Sequence, residues 1–256
     1  MTSVDSQDPD SQDPDSQDPS LPPALDLWQQ TMNWQPTFEQ QSSFQKLYEE
    51  ILRGNQQLNL TRITSPAEFW EKHLWDSLRG IKPWINQPDQ LQAIDIGTGA
   101  GFPGIPAAIV CPHWQVTLLD STRKKIAFLA TLVTTLGVNA QPIVGRAEQV
   151  AHLAQHREKY DLALSRAVAT ASACAEYSLP LLKLNGVAVL YRGQWLDEET
   201  EALQNAAKQL GGTIEQIEKF DTPLSHSVRH CIYIRKTAPT RSIFPRAVGT
   251  PTQKPL

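Results

Sequence analysis

The chain predicts an α/β fold: a seven-stranded, mostly parallel sheet with an antiparallel terminal hairpin, preceded by an N-terminal helical cap. Three observations carry this reading. From Leu91 onward short apolar runs alternate with amphipathic stretches, the rhythm of a parallel sheet covered by helices on both faces. The first apolar run ends in Asp95 and breaks into Gly97, Gly99, Gly101 and Gly104, as a buried strand does when it turns sharply into a helix. The last two strand-like runs, Gly211 to about Phe220 and His230 to Arg235, leave no room for a helix between them and should pair antiparallel.

Taken in order, residues 1–23 contain three Ser-Gln-Asp-Pro copies without an apolar side chain, a composition expected to stay disordered. Residues 24–90 form the expected cap. Phe44, Leu47, Tyr48, Ile51 and Leu52 share one helix face, in a helix predicted from about Thr37 to Arg53 and stopped by Gly54-Asn55. A second helix starts at Ser65-Pro66, with serine as N-cap and proline at the first position, and carries Phe69, Trp70, His73, Leu74 and Leu78. His73 and Asp76 lie on one face of it, where a structural hydrogen bond is the simpler reading.

The core is expected over residues 91–236. After the first strand come Gln115–Leu119 ending in Asp120, a helix from Ser121 to Leu136, a strand at Ala140–Val144 and a short helix from Glu148. A fourth strand covers Tyr160–Ser165, followed by a helix from about Ala171 to Leu182, a fifth strand at Gly186–Tyr191 and a helix from Leu196 to Leu210. Residues 237–256 form a basic tail.

Composition bounds the function. No apolar run approaches the length of a membrane span, and the acidic N-terminus resembles no signal peptide. Cys111, Cys174 and Cys231 are too far apart for a zinc cluster or a disulfide framework, so three buried thiols in a reducing cytoplasm are expected, with no metal. Six aspartates before Ser20 more than account for the net charge of −4 and leave the body slightly positive. From Thr222 onward Arg229, Arg235, Lys236, Arg241, Arg246 and Lys254 occur without an acid, which suggests a polyanionic partner; a merely solubilising tail is the alternative.

In open α/β sheets ligands bind beyond the carboxyl ends of the strands. Those ends carry Gly97, Gly99 and Gly101, then Asp120, Arg146-Ala147-Glu148, Ser165-Arg166 and Tyr191-Arg192. Asp95 before the glycines gives Asp-x-Gly-x-Gly-x-Gly, a form in which a strand-end carboxylate meets the ammonium of a methionine group, and favours S-adenosylmethionine. Asp120 falls about 20 residues beyond the turn, where an acid accepts ribose hydroxyls. The register Gly99-x-Gly101-x-x-Gly104 also satisfies a dinucleotide fingerprint, so an NAD(P)-dependent oxidoreductase stays open. So does an RNA-binding module on an inert core.

The string Asp95-Ile96-Gly97-Thr98-Gly99-Ala100-Gly101-Phe102-Pro103-Gly104-Ile105-Pro106 resembles the RsmG (GidB) family of 16S ribosomal RNA guanine-N7 methyltransferases. So do Asn59-Leu60-Thr61, His73 with Asp76-Ser77, Leu118 to Ser121, Ser165-Arg166-Ala167, Arg229-His230 and the closing Pro245-Arg246 with Gly249-Thr250-Pro251. The resemblance covers roughly Phe44 to Leu256. It implies a class I (Rossmann-like) methyltransferase fold, S-adenosylmethionine as cofactor, and 16S RNA or the small ribosomal subunit as partner. The resemblance implies cofactor contacts at Gly97, Phe102, Asp120, Ser121, Thr122, Ala147, Glu148 and Arg166, to which the reading of the glycine turn adds Asp95, Gly99 and Gly101. Arg123, Arg192, Arg229 and Arg246 are expected to meet RNA; the family usually has Lys where this chain has Arg192, which changes the donor geometry. Guanine N7 carries a lone pair and no proton, so no catalytic base is expected. In keeping with this, no Pro-Cys nucleophile and no Asn-Pro-Pro-Tyr-like box occurs.

Overall fold

A computed structural model describes residues 20–256. The three-copy repeat therefore lies outside the described residues. Leu21 to Pro23 do not: they pack against the cap, where the Leu21 N–H donates to Gln45 Oε1.

The cap begins with α1 (Leu25–Met32), which buries Trp28 and Met32, and α2 (Phe38–Leu58). Thr37 and Gln40 close a capping box at the start of α2. This helix does not stop at Gly54-Asn55 as expected but runs on to Leu58. Gly54 serves close packing instead, since a Cβ there would lie 2.4 Å from the Phe128 ring. The next helical stretch is α3 (Pro66–Phe69), a π-helical turn (Trp70–Trp75) and α4 (Asp76–Arg79). Trp70, His73, Leu74 and Trp75 of that turn are all buried.

The sheet strands are β1 (Gln92–Ile96), β2 (Gln115–Asp120), β3 (Ala140–Val144), β4 (Tyr160–Arg166), β5 (Leu182–Arg192), β6 (Gly212–Asp221) and β7 (Val228–Lys236), in the order β3-β2-β1-β4-β5-β7-β6. The first five run parallel, and β7 pairs antiparallel with both β5 and β6. Pro142 falls on β3, an edge strand, where its missing N–H is tolerated. The helix predicted to reach Leu182 ends at Ser178, because β5 begins earlier than its apolar run suggests.

Connecting helices α5 (Gly104–Val110), α6 (Arg123–Leu136), α7 (Ala147–Val150), α8 (Ala171–Ser178) and α9 (Asp197–Leu210) cover the two faces. One apolar core joins the cap to α5, α6 and one sheet face; the other lies between the opposite face and α7 to α9. Cys111, Cys174 and Cys231 are buried and unpaired as disulfides. The segment after Thr237 is no free tail. It runs back along α7 and α8, ends in α10 (Thr250–Gln253), and is held by Arg157, which donates to the carbonyls of Thr240, Arg241 and Phe244. Among the described residues no helix is long and apolar enough to cross a membrane.

Candidate functional site

The glycine turn joins β1 to α5, and its backbone dictates its composition. Gly97, Gly99 and Gly101 have φ of 70°, 59° and 101°, in the region that favours glycine. Gly97 and Thr98 donate their N–H groups to the Leu119 carbonyl, which fixes the turn across the end of β2. Gly104 starts α5 where a Cβ would lie 2.3 Å from Leu118 and 2.9 Å from Asp95 Oδ2.

Asp95 is fully buried under this turn. Its Oδ2 accepts from Thr98 Oγ1 at 2.6 Å and from the Gly104 N–H at 2.8 Å, while Oδ1 is buried without a partner among the described residues. Burial pushes its carboxyl up to about 6. Through Oδ2 the side chain braces the turn from beneath, and Oδ1 is the atom left for the expected meeting with a ligand ammonium.

Asp120 closes β2 at the mouth of a cleft. Its Oδ2 accepts the Gly99 N–H at 3.0 Å and its Oδ1 accepts the Thr122 N–H at 2.8 Å. Both oxygens keep further lone pairs. Ile96, Gly97, Leu119, Asp120, Ser121 and Gly145 line one side of this cleft. Arg146, Ala147, Glu148, Val168, Tyr177 and Thr252 line the other.

Of the cofactor residues expected from sequence, Gly97, Asp120, Ser121, Ala147 and Glu148 therefore meet in one cleft. Gly99 and Thr122 border it through their amides on Asp120. Gly101 faces Ile105 and Leu129, inside the packing of the turn. Phe102 lies beneath it, 4% exposed and stacked on His73 with ring centroids 4.3 Å apart. Arg166 stands outside the cleft: it donates to the Lys72 carbonyl at 2.6 Å and to Asp76 Oδ2 at 3.1 Å, with His73 Nδ1 3.3 Å away. The His73 imidazole is held neutral, its pKa lowered to about 3 by burial and by the Arg166 and Lys72 charges. Its Nε2 bonds Thr61 Oγ1 at 2.8 Å. Just beyond Arg166, Ala167 has φ of 55°, a costly conformation for a residue with a Cβ, and Val168 sits over Gly97.

Sequence reasoning missed Tyr177 and Thr252. Tyr177 lines the cleft from α8, and Thr252 reaches it on α10 of the returning tail. Arg246 pairs with the fully buried Glu176 through Nε at 2.9 Å and Nη2 at 2.6 Å, and the Gly249 N–H donates to Glu148 Oε1 at 3.0 Å. The only available signal was the closing Pro245-Arg246 and Gly249-Thr250-Pro251.

The cations distribute differently from the expectation. Arg246, expected as a phosphate contact, is tied to Glu176 through Nε and Nη2. Arg235 pairs with Glu215, and Lys236 is buried on Glu158 and the Leu182 carbonyl. The acid-free segment had looked uncompensated because these acids lie elsewhere in the chain. Arg123 is exposed at the start of α6 and makes no ion pair among the described residues. Arg192 donates to the Ala169 carbonyl and sits 3.4 Å from Glu199, and Arg229 borders a second cleft at the ends of β4, β5 and β7. Among the described residues no group of His, Cys, Asp and Glu could hold a metal.

A family model described as rRNA small subunit methyltransferase G (GidB) matches residues 40–230. Proteins named ribosomal RNA small subunit methyltransferase G are 62% identical in Trichormus variabilis and 61% identical in Nostoc punctiforme. Each alignment covers 92% of this chain and 98% of the relative. Among solved structures, a Thermus thermophilus branched-chain polyamine synthase variant superimposes with a TM-score of 0.53 at 12% identity, over 64% of this chain and 56% of that one. M. jannaschii TYW2 in complex with AdoMet gives a TM-score of 0.50 at 16% identity, over 64% of this chain and 74% of that one. At such identities these likenesses speak to the fold, which is the class I methyltransferase fold.

Proposed function

The chain belongs to the rRNA small subunit methyltransferase G (GidB) family, and on that footing we propose that it moves a methyl group from S-adenosylmethionine to N7 of a guanine in 16S ribosomal RNA. The observation that carries the proposal is the bond between the Gly99 N–H and Asp120 Oδ2. It couples the glycine turn to a carboxylate at the cleft mouth whose remaining lone pairs suit the two ribose hydroxyls of a nucleoside. The donor set fits the rest of the cofactor. Gly97 gives close backbone approach, Ile96, Leu119 and Ala147 supply apolar walls, and Glu148 offers an acceptor for an adenine amine.

When bound, S-adenosylmethionine supplies an electrophilic methyl on sulfur. The protein's work is positional. Asp120, Ser121, Ala147 and Glu148 fix the nucleoside end. Arg166, clamped by the Lys72 carbonyl and Asp76, orients the reacting end. Guanine N7 offers an in-plane lone pair with no proton to remove, so alignment substitutes for a general base. Arg123, Arg192 and Arg229 hold the RNA by its phosphates, with the small subunit as partner and the cytoplasm as location.

The test is transfer of labelled methyl from S-adenosylmethionine to small subunits from cells lacking this enzyme. Label is expected in 16S RNA. Cofactor binding without any transfer would leave an RNA-binding protein with an inert core, and no cofactor binding would contradict the proposal.

A further inference from the structure

A second cleft opens at the ends of β4, β5 and β7, bounded by Asp76, Arg166, Ala167, Tyr191, Arg192 and Arg229. It shares the Arg166–Val168 turn with the cofactor cleft, since Ala167 lines one and Val168 the other. A group held in it is thus separated from the cofactor cleft by one strained turn of chain.

Its polar groups are not all spent. Asp76 is 8% exposed, and Oδ2 accepts from Arg166 at 3.1 Å, yet Oδ1 makes no hydrogen bond within the described residues. A carboxylate has about four acceptor positions. Arg192 donates through Nη1 to the Ala169 carbonyl, but its Nε is buried without a partner. Among the described residues Arg229 donates only to its own neighbour, the Val228 carbonyl. Tyr191 is a fixed wall, its hydroxyl bonded to the Ser77 carbonyl at 2.8 Å and its ring where a Cβ on Gly80 would fall. The cleft therefore combines one underused carboxylate with underused guanidinium donors around a flat aromatic side.

We propose that Asp76 selects the target base as guanine by accepting hydrogen bonds from its N1–H and N2–H groups. This rests on the methyltransferase reading above. Guanine alone among the RNA bases presents two adjacent donors on its Watson–Crick edge, which one carboxylate can accept together. Adenine, cytosine and uracil each place an acceptor beside their donor, and a carboxylate repels it. Holding that edge leaves O6 for the arginines and turns N7, on the opposite side, away from Asp76. A site built on such bonds rejects a base lacking a donor because its own buried acceptor is left unpaired.

The experiment replaces the target guanosine with inosine, which lacks only the N2 amine, in ligated 16S RNA assembled into small subunits. Single-turnover methylation of both RNAs is measured for the wild type and for Asp76→Ala. The wild type should lose about 10- to 100-fold with inosine, as for one charge-assisted hydrogen bond. In Asp76→Ala the guanine rate should fall and the inosine penalty should shrink to within about threefold. A merely structural Asp76 lowers both rates and leaves the penalty intact. Asp76→Asn, which keeps bulk beside Arg166, gives a folded second variant with a reduced penalty. A wild type indifferent to inosine, or a full penalty persisting in both variants, overturns the assignment of Asp76 but not the methyltransferase reading. Failure of the wild type to methylate the guanine RNA overturns both.

Discussion

Asp120 is the residue on which cofactor recognition turns in the proposed function. Replacing it with alanine would remove the proposed ribose acceptor and free the Gly99 and Thr122 amides it holds. Asp120→Ala should weaken S-adenosylmethionine binding by about 1.5–3 kcal/mol in calorimetry; unchanged affinity in a folded protein would remove Asp120 from the site. His73 carries the pH response. Its folded pKa, near 3, lies below its unfolded value of about 6.5, so the unfolded chain binds more protons between them and stability falls as pH drops through that window. Asp95 acts oppositely. Its carboxyl is raised to about 6, so its protonation favours the folded state and offsets part of the loss on acidification between about 4 and 6. Denaturant midpoints at pH 7 and pH 5 should therefore converge in His73→Gln relative to wild type; an equal loss in both proteins would show that another group governs the acid limb. At this scale the sequence made the glycines and Asp120 legible, because each is dictated by its own strand end. It could not show where the Asp95 or Arg246 side chains point, since the Arg246 partner, Glu176, is 70 positions away.

The returning C-terminal segment is the element that sequence most misread, since its cations looked free while their acids lay on β6, α8 and the loop before β4. Arg246→Ala would leave the Glu176 carboxylate, whose side chain is fully buried, without its guanidinium. The destabilisation should fall at the lower end of about 3–5 kcal/mol, because the backbone N–H of residue 246 still reaches Glu176. Cofactor affinity should fall too, as Gly249 and Thr252 loosen against the cleft. Arg123→Ala should do the reverse: leave stability and cofactor binding alone, and flatten the slope of log RNA affinity against log salt by roughly one contact, about 0.7–0.9. Titrations at several salt concentrations separate the two; a flattened slope in Arg246→Ala with normal stability would restore it as a phosphate contact. Strand positions were legible because buried runs and turn glycines punctuate them. The extension of α2 past Gly54 was not, since that glycine answers to Phe128 on another helix, and nothing local marks the π-helical turn that carries His73.

Over the whole molecule, the alternation of strands and helices specified the sheet and its terminal hairpin, and the two cores follow from covering both faces. What the alternation left unspoken is how the cap and the tail complete the candidate site: the cap supplies Asp76 and His73 behind Arg166, and the tail supplies Thr252 to the cleft beside Asp120. In the proposed function this assembly aligns guanine N7 with a methyl donor and needs no base. The most direct measurement is nucleoside analysis of 16S RNA after reaction of the purified protein with small subunits and methyl-labelled S-adenosylmethionine. 7-Methylguanosine is expected as the labelled nucleoside. Label in a base-methylated pyrimidine, in an exocyclic amine, or in a ribose would contradict it.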